Sequence, residues 1–302
     1  MTLSPETDLM MTAIRAAGGK AFHAGTVEEG RAAVDAFFAL PNPAPPMAET
    51  TRHEVSVAGG RIAILRFVPQ GLVVGRILFC HGGGWVCGTA EGHAAMASQL
   101  AQATGCVVAV PDYRRAPEHP FPVPVEDCAA ALVWFAAQGA GPLFVAGDSA
   151  GGNIAAVLAL RARDGGGPAL TGQILIYPVV DTDTTRPSYI DPANQQILTT
   201  QDMVWFIDHY LPDPAQRRHP DAAPLHAETL SNLPPAFVAV AGHDPLRDAV
   251  EAYARRLTES GVTVEVVTFP GDVHGFLVLG GQLASAHRLM ADIGAWVTAT
   301  LA

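Results

Sequence analysis

Gly147-Asp148-Ser149-Ala150-Gly151 sets a serine between glycines in the pattern G-x-S-x-G, with Gly152 directly after it. A serine hydroxyl is a poor nucleophile at neutral pH and needs an adjacent base. Taken alone, the pattern also suits a plain glycine-rich turn. Its flanks carry more information: the apolar run 143–146 reads as a strand, and a helical stretch opens at Ala150. A strand–turn–helix elbow holds its serine in a strained backbone conformation, and flanking glycines keep side chains clear of it.

On such an elbow, an acid and then a histidine follow the serine in chain order. His209, His219, His226, His243, His274 and His287 all follow Ser149. His274 sits in Gly271-Asp272-Val273-His274-Gly275-Phe276, between the last β-rich run and the C-terminal helical stretch. That loop opens at the carboxyl edge of a parallel sheet, where active sites collect. His287 falls within a helix, and His209, His219 and His226 fall within an irregular insertion, which leaves His243 as the rival base. Asp244 is the favoured acid because it stands just after the run 236–240; Asp248 and Asp181 are the alternatives. The separations, 95 residues (149 to 244) and 30 residues (244 to 274), leave room for intervening strand–helix units.

Acyl transfer also needs hydrogen-bond donors where the oxyanion develops. His81-Gly82-Gly83-Gly84-Trp85 follows the third strand-like run, the position of the oxyanion loop in a hydrolase sheet. Successive glycines let the backbone turn its N–H groups inward. A phosphate cradle is excluded, because there is neither G-x-G-x-x-G nor a following lysine. His81 is expected to hydrogen-bond within the loop rather than to do chemistry. No His/Cys group has metal-ligand spacing, so neither a metal nor an organic cofactor is implied.

Positioning these residues requires a sheet. The runs 53–57 and 61–68 flank Ala58-Gly59-Gly60 and read as an antiparallel hairpin. The runs 76–80, 107–110, 143–146, 173–177 and 236–240 lack polar alternation, as expected of strands buried on both faces, and 262–269 is a further β-rich run. Helical stretches at 90–103, 124–138, 150–163, 246–260 and 283–301 alternate with them. This predicts an α/β fold: a doubly wound, mostly parallel sheet of eight strands flanked by helices. Two further helices are expected at 7–17 and 27–40, before the stiff proline-rich stretch 40–46. Residues 183–225 are polar, proline-dotted and helical only around 201–210; an insertion of that length usually has a task, such as a lid.

The composition narrows the partners. With 302 residues, 49% hydrophobic and only 16% charged, the chain is not intrinsically disordered. A net charge of −11 makes nucleic acid and anionic membrane surfaces poor partners. No apolar run reaches the ~20 residues that span a bilayer. Glu6 and Asp8 stand where a secretory signal would carry positive charge. Cys80, Cys87, Cys106 and Cys128 form no C-x-x-C pair and read as reduced core thiols. A cytoplasmic protein is expected.

Taken together, HGGGW at 81–85, DYRRAPEHPFP at 112–122, GDSAGG at 147–152, DPLRD at 244–248 and HGF at 274–276 resemble the hormone-sensitive-lipase-like (bacterial family IV) carboxylesterases of the α/β-hydrolase superfamily. The resemblance runs from about residue 74 to the C-terminus, with the motifs in family order. It implies Ser149 as nucleophile, His274 as base, Asp244 as its orienter, and an oxyanion hole from Gly83, Gly84 and the Ala150 N–H. It also implies one domain over 1–302, with cap elements near 1–45 and 183–225 over a core of 46–182 plus 226–302. Arg115 departs from the leucine more usual at its place, and is expected to serve loop structure, as are Asp112, Arg114 and Glu118. In the insertion, Trp205, Phe206 and Tyr210 fit cap packing and pocket lining equally well.

The implied activity is hydrolysis of small short- to medium-chain acyl esters through an acyl-enzyme. An amidase, deacetylase or lipase with the same triad is the alternative. A ligand-binding receptor of the kind seen in the plant gibberellin receptors lacks the catalytic histidine, whereas Ser149, Asp244 and His274 are all present here. The run 262–269, with Glu265 as its single charge, is expected to close the sheet and to join a homodimer partly through its edge.

Overall fold

The computed structural model describes all residues except Met1, Gly19, Gly280 and Gln282. Among the described residues the strands are β1 (Glu49–Val57), β2 (Gly60–Val68), β3 (Gly75–Cys80), β4 (Cys106–Pro111), β5 (Leu143–Asp148), β6 (Gly172–Ile176), β7 (Ala236–His243) and β8 (Val264–Val273). They form one sheet in the order β1-β2-β4-β3-β5-β6-β7-β8. β1 and β2 pair antiparallel around Gly59, whose φ of 76° a side chain would resist, and β2 meets β4 antiparallel. From β4 to β8 all neighbours are parallel. The expected eight-stranded, mostly parallel α/β sheet is thus the observed one.

The sheet's two faces are read off its period of two. Ile77, Phe79, Phe144 and Ala146 point to one side, against Leu100 of α3 (Ala94–Thr104) and Ile293 of α9 (Ala284–Thr300). Leu78, Cys80, Leu143 and Val145 point to the other, with Val125 of α4 (Val123–Ala136), Ile154 of α5 (Ala150–Arg161) and Leu257 of α8 (Arg247–Glu259). β4 through β7 are buried throughout, which is why their sequences show no polar alternation. Each fully buried large side chain contributes about 1.5–3 kcal/mol relative to exposure. The folded surface of 11605 Å² matches the roughly 12,000 Å² that chain mass requires.

Several boundaries differ from expectation, among them β1, which starts at Glu49, and β7, which runs to His243. β8 runs on to Val273 rather than stopping at Phe269, because Pro270 sits on a sheet edge, where a missing N–H leaves no partner unserved. This extension carries the chain directly to His274. α3 starts at Ala94, after a turn in which His93 N–H donates to Thr89 O. The insertion holds a short helix α6 (Pro187–Ile190) and then α7 (Thr200–Tyr210), the latter started by a reciprocal Thr199–Asp202 capping box.

Two more helices precede the sheet: α1 (Pro5–Ala17) and α2 (Val27–Phe38). α1 is tied to the end of β8, where Ser4 N–H donates to Gly271 O at 2.9 Å and Thr7 Oγ1 donates to Asp272 Oδ1 at 2.9 Å. The segment between α1 and α2 meets α7 through His23 Nδ1 and Asp202 Oδ1, 2.8 Å apart. The four cysteines are buried and free. Among the described residues, no helix is long and apolar enough to cross a membrane.

Candidate active site

β5 delivers the chain to Ser149, which adopts φ 54° and ψ −119° before α5 begins at Ala150. A non-glycine residue held there stores strain of about 1–3 kcal/mol. Packing enforces it. A Cβ on Gly147 would lie 2.3 Å from the Gly151 backbone, and one on Gly151 only 1.9 Å from Cys80 O. Ser149 N–H donates to Ile176 O at 2.9 Å, and Ser149 O accepts from Val179 N–H at 3.0 Å. The elbow therefore turns the hydroxyl toward the loop that follows β8.

There, His274 Nε2 lies 2.9 Å from Ser149 Oγ, and His274 Nδ1 lies 2.8 Å from Asp244 Oδ2. The carboxylate accepts only, so Nδ1 carries the proton and Nε2 keeps the lone pair that faces the hydroxyl. Asp244 is fully buried, and its Oδ1 accepts from Leu246 N–H at 2.8 Å. The same chain of contacts sets a hydroxyl, a base and an orienting carboxylate in line, the arrangement that makes serine nucleophilic.

The rival residues are elsewhere. His243 Nδ1 faces Ala193 O at 3.1 Å, and His287 is exposed on α9. His209 turns to Trp205 O, while His219 Nδ1 accepts from Asp221 N–H. Asp248 accepts from Ser188 N–H, and Asp181 is held by Arg186 and His226.

The loop after β3 faces Ser149 from the opposite side. Gly83 and Gly84 take φ of 115° and 61°, and Gly83 O accepts from Cys87 N–H at 2.8 Å. The N–H groups of Gly83, Gly84 and Ala150 donate to no protein acceptor among the described residues. His81 has the expected loop role: its Nδ1 lies 2.8 Å from Gly82 O, and its ring stacks on Tyr113 with centroids 4.1 Å apart. Burial pushes both His81 and His93 down to about 4, so the two rings are neutral at pH 7.

Four charged side chains of the 112–122 motif are held by partners outside it. Arg114 grips the buried Asp127 bidentately, at 2.9 and 2.7 Å. Glu118 pairs with Arg31 of α2, and Arg115 Nη1 donates to Gly88 O at 2.7 Å. Asp112 Oδ1 accepts from Ala90 N–H.

Beside Ser149 lies a cavity of about 120 Å³, walled by Phe22, Phe38, Leu198, Met203, Phe206 and Leu279 among others. Its polar lining comes from Ser149, His274, His93 and Asp148. Of the aromatic residues left open by the sequence, Phe206 lines the cavity, whereas Trp205 packs edge-on against Phe206 and Tyr210 stacks on Trp85. Sequence reasoning missed Phe22, Phe38 and Leu198, which no motif marks, and also Asp148 and His93. Among the described residues, no group of three His, Cys, Asp or Glu side chains is arranged to hold a metal.

Residues 77–278 match the family described as alpha/beta hydrolase fold. The chain is 42% identical to esterase LipI of Mycobacterium tuberculosis over 218 residues, which cover 70% of this chain and 68% of the relative. It is 35% identical to an arylesterase of Saccharolobus solfataricus over 277 residues, 89% of each chain. A thermostable esterase from Pseudomonas putida superposes with a TM-score of 0.93 at 32% identity, over all of this chain and 98% of that one. The chain belongs to the α/β-hydrolase fold family, within its hormone-sensitive-lipase-like branch, and is a carboxylic ester hydrolase.

Proposed function

We propose that Ser149, His274 and Asp244 are the catalytic triad of this serine carboxylesterase. The observation that carries the reading is His274, hydrogen-bonded at once to Ser149 Oγ (2.9 Å) and to Asp244 Oδ2 (2.8 Å). Ser149 Oγ attacks the ester carbonyl while Nε2 takes its proton, and the imidazolium so formed is steadied by Asp244. The carbonyl oxygen gains charge between the N–H groups of Gly83, Gly84 and Ala150. One such donor is worth about 10²–10³ in rate. Nε2 then gives its proton to the departing alcohol, and water activated by the same nitrogen releases the acid.

The segments near 1–45 and 183–225 act as the cap: Phe22 and Phe38 come from the first, Leu198, Met203 and Phe206 from the second. Their apolar side chains suit short to medium acyl chains. Each added methylene gains ~0.8 kcal/mol until the cavity is full, after which it strains the walls. The outer part of the insertion is polar, so it offers little to an oil–water interface. A panel of p-nitrophenyl esters of graded length tests this. Activity should rise, peak and fall steeply, with no jump when substrate exceeds its solubility; vigorous hydrolysis of emulsified long-chain triglyceride would argue for a lipase instead.

We further propose a homodimer through the open edge of β8, near residues 262–269, where Val266 is 46% exposed and Glu265 is the sole charge. A monomeric mass by light scattering at micromolar concentration would rule it out. Four free, buried thiols support a reducing, cytoplasmic setting.

A further inference from the structure

We propose that Asp148 is a positioning residue for ester hydrolysis: its buried carboxylate fastens the oxyanion loop to the nucleophile elbow through the Gly82 N–H. The proposal rests on the assignment of Gly83 and Gly84 as oxyanion donors.

The elbow itself does not require an acid there, since G-x-S-x-G leaves that place open. Asp148 is nonetheless 4% exposed, and burying a carboxylate is costly unless specific partners hold it. Oδ1 accepts from Gly82 N–H at 2.8 Å. A Cβ on Gly82 would lie 2.4 Å from Oδ2 and 3.0 Å from Asp148 O, so the loop rests directly on this residue. Gly82 immediately precedes Gly83. Its carbonyl faces His81 Nδ1 at 2.8 Å, and His81 O accepts from Tyr113 Oη at 2.8 Å. Tyr113 and His81 thus hold the loop from one side, and Asp148 from the side of the nucleophile.

His93 packs beside the anchor without bonding to it. Its Nδ1 donates to Thr89 O at 3.0 Å, so the neutral ring turns its Nε2 lone pair toward Asp148 Oδ1, 3.7 Å away. Phe38 and His81 pack against the His93 ring, with centroids 4.4 and 5.2 Å away, so few solvent contacts compete with the Gly82 bond. Burial raises the Asp148 carboxyl above its usual value, and the Gly82 N–H, which favours the charged form, opposes that shift. An asparagine here keeps both an acceptor for the Gly82 N–H and the shape of the side chain. An alanine keeps neither.

The experiment compares wild type, Asp148→Ala and Asp148→Asn on p-nitrophenyl butyrate, with binding of butylboronic acid as a mimic of the tetrahedral state and a melting curve for each. Expected is a kcat about 10²–10³ lower in Asp148→Ala, as for loss of an oxyanion donor, with KM within about threefold and boronate affinity falling in parallel. Asp148→Asn should return kcat to within about tenfold of wild type. Should Asp148→Ala not fold, Asp148→Val takes its place, being close in shape and lacking an acceptor. Wild-type kcat in the alanine or valine variant, a loss confined to KM, or an asparagine variant as impaired as alanine would each overturn the proposal. An inactive wild type, or a fully active Ser149→Ala, would instead sink the catalytic reading beneath it.

Discussion

Replacing Gly84 by alanine puts a methyl group into occupied space. A Cβ built there lies 2.2 Å from Phe206 Cδ1 and 2.5 Å from Cγ, so the overlap is with the ring's base and not with a flexible tip. Ordinary carbon–carbon contact is about 3.5–4.0 Å, so ring and loop must part by more than 1 Å. The φ of 61° adds about 1–2 kcal/mol of left-handed strain for alanine. Phe206 has little freedom to yield, being 4% exposed and packed on Phe22 with centroids 5.0 Å apart. The loop should give way instead. Pulling the Gly84 N–H off line should remove one oxyanion donor, about 2.7–4 kcal/mol of transition-state stabilisation, and lower kcat 10²–10³-fold with a smaller effect on KM. Phe206→Ala alone should destabilise the fold by about 3–5 kcal/mol while leaving the loop in place. In the double variant the methyl has room, so kcat should recover at least tenfold over Gly84→Ala, although the melting temperature stays low. Steady-state kinetics and thermal melting of the three variants read all of this. A normal kcat in Gly84→Ala, or a double variant no better than Gly84→Ala, would refute the argument.

Asp244→Asn should lower kcat about 10⁴-fold by leaving His274 in the wrong tautomer, whereas Asp248→Asn, whose carboxylate serves the Ser188 N–H, should leave the chemical step largely intact; the reverse pattern would reassign the acid. His243→Ala should likewise spare turnover, since its ring faces Ala193 O. Burial opposes ionisation of Asp181, but hydrogen bonds from Arg186 and then His226 outweigh it and hold the carboxyl below its usual value. Its ionised form therefore stabilises the fold above about pH 4, and that contribution is lost as the pH falls through the depressed folded-state value. Asp181→Asn should melt below wild type at pH 7, with the gap closing under pH 4. A gap that stays constant down to pH 3 would contradict this.

The meeting of Ser149, His274 and Asp244 was legible because each follows a strand that its own apolar run announces, and strands of a parallel sheet open at one edge. The sheet was legible for the same reason: β4 through β7 are buried on both faces and carry no polar alternation. The cavity wall was not. Phe22 and Phe38 lie far along the chain from Leu198 and Phe206, and only tertiary packing, with the segment between α1 and α2 against α7, brings them to one cavity. Asp148 stands within GDSAGG, but the G-x-S-x-G pattern gives its position no task, so its bond to the Gly82 N–H was not legible. His93 was obscured by the helical reading of 90–103, where an apolar-flanked histidine looks like a helix residue. The extra length of β8 was masked by Pro270, which ordinarily ends a strand and is tolerated here because the edge is open.

The central claim, that ester hydrolysis passes through an acyl group on Ser149, is tested most directly by stoichiometric labelling. A p-nitrophenyl alkylphosphonate is titrated against the protein while intact mass, labelled peptide and residual esterase activity are followed together. One phosphonyl group per chain, mapped to Ser149, with activity falling in proportion and no label on a Ser149→Ala variant whose kcat is about 10⁵–10⁶ lower, is the expected result. Activity that survives full labelling, or a label on any other residue that abolishes it, would contradict the account.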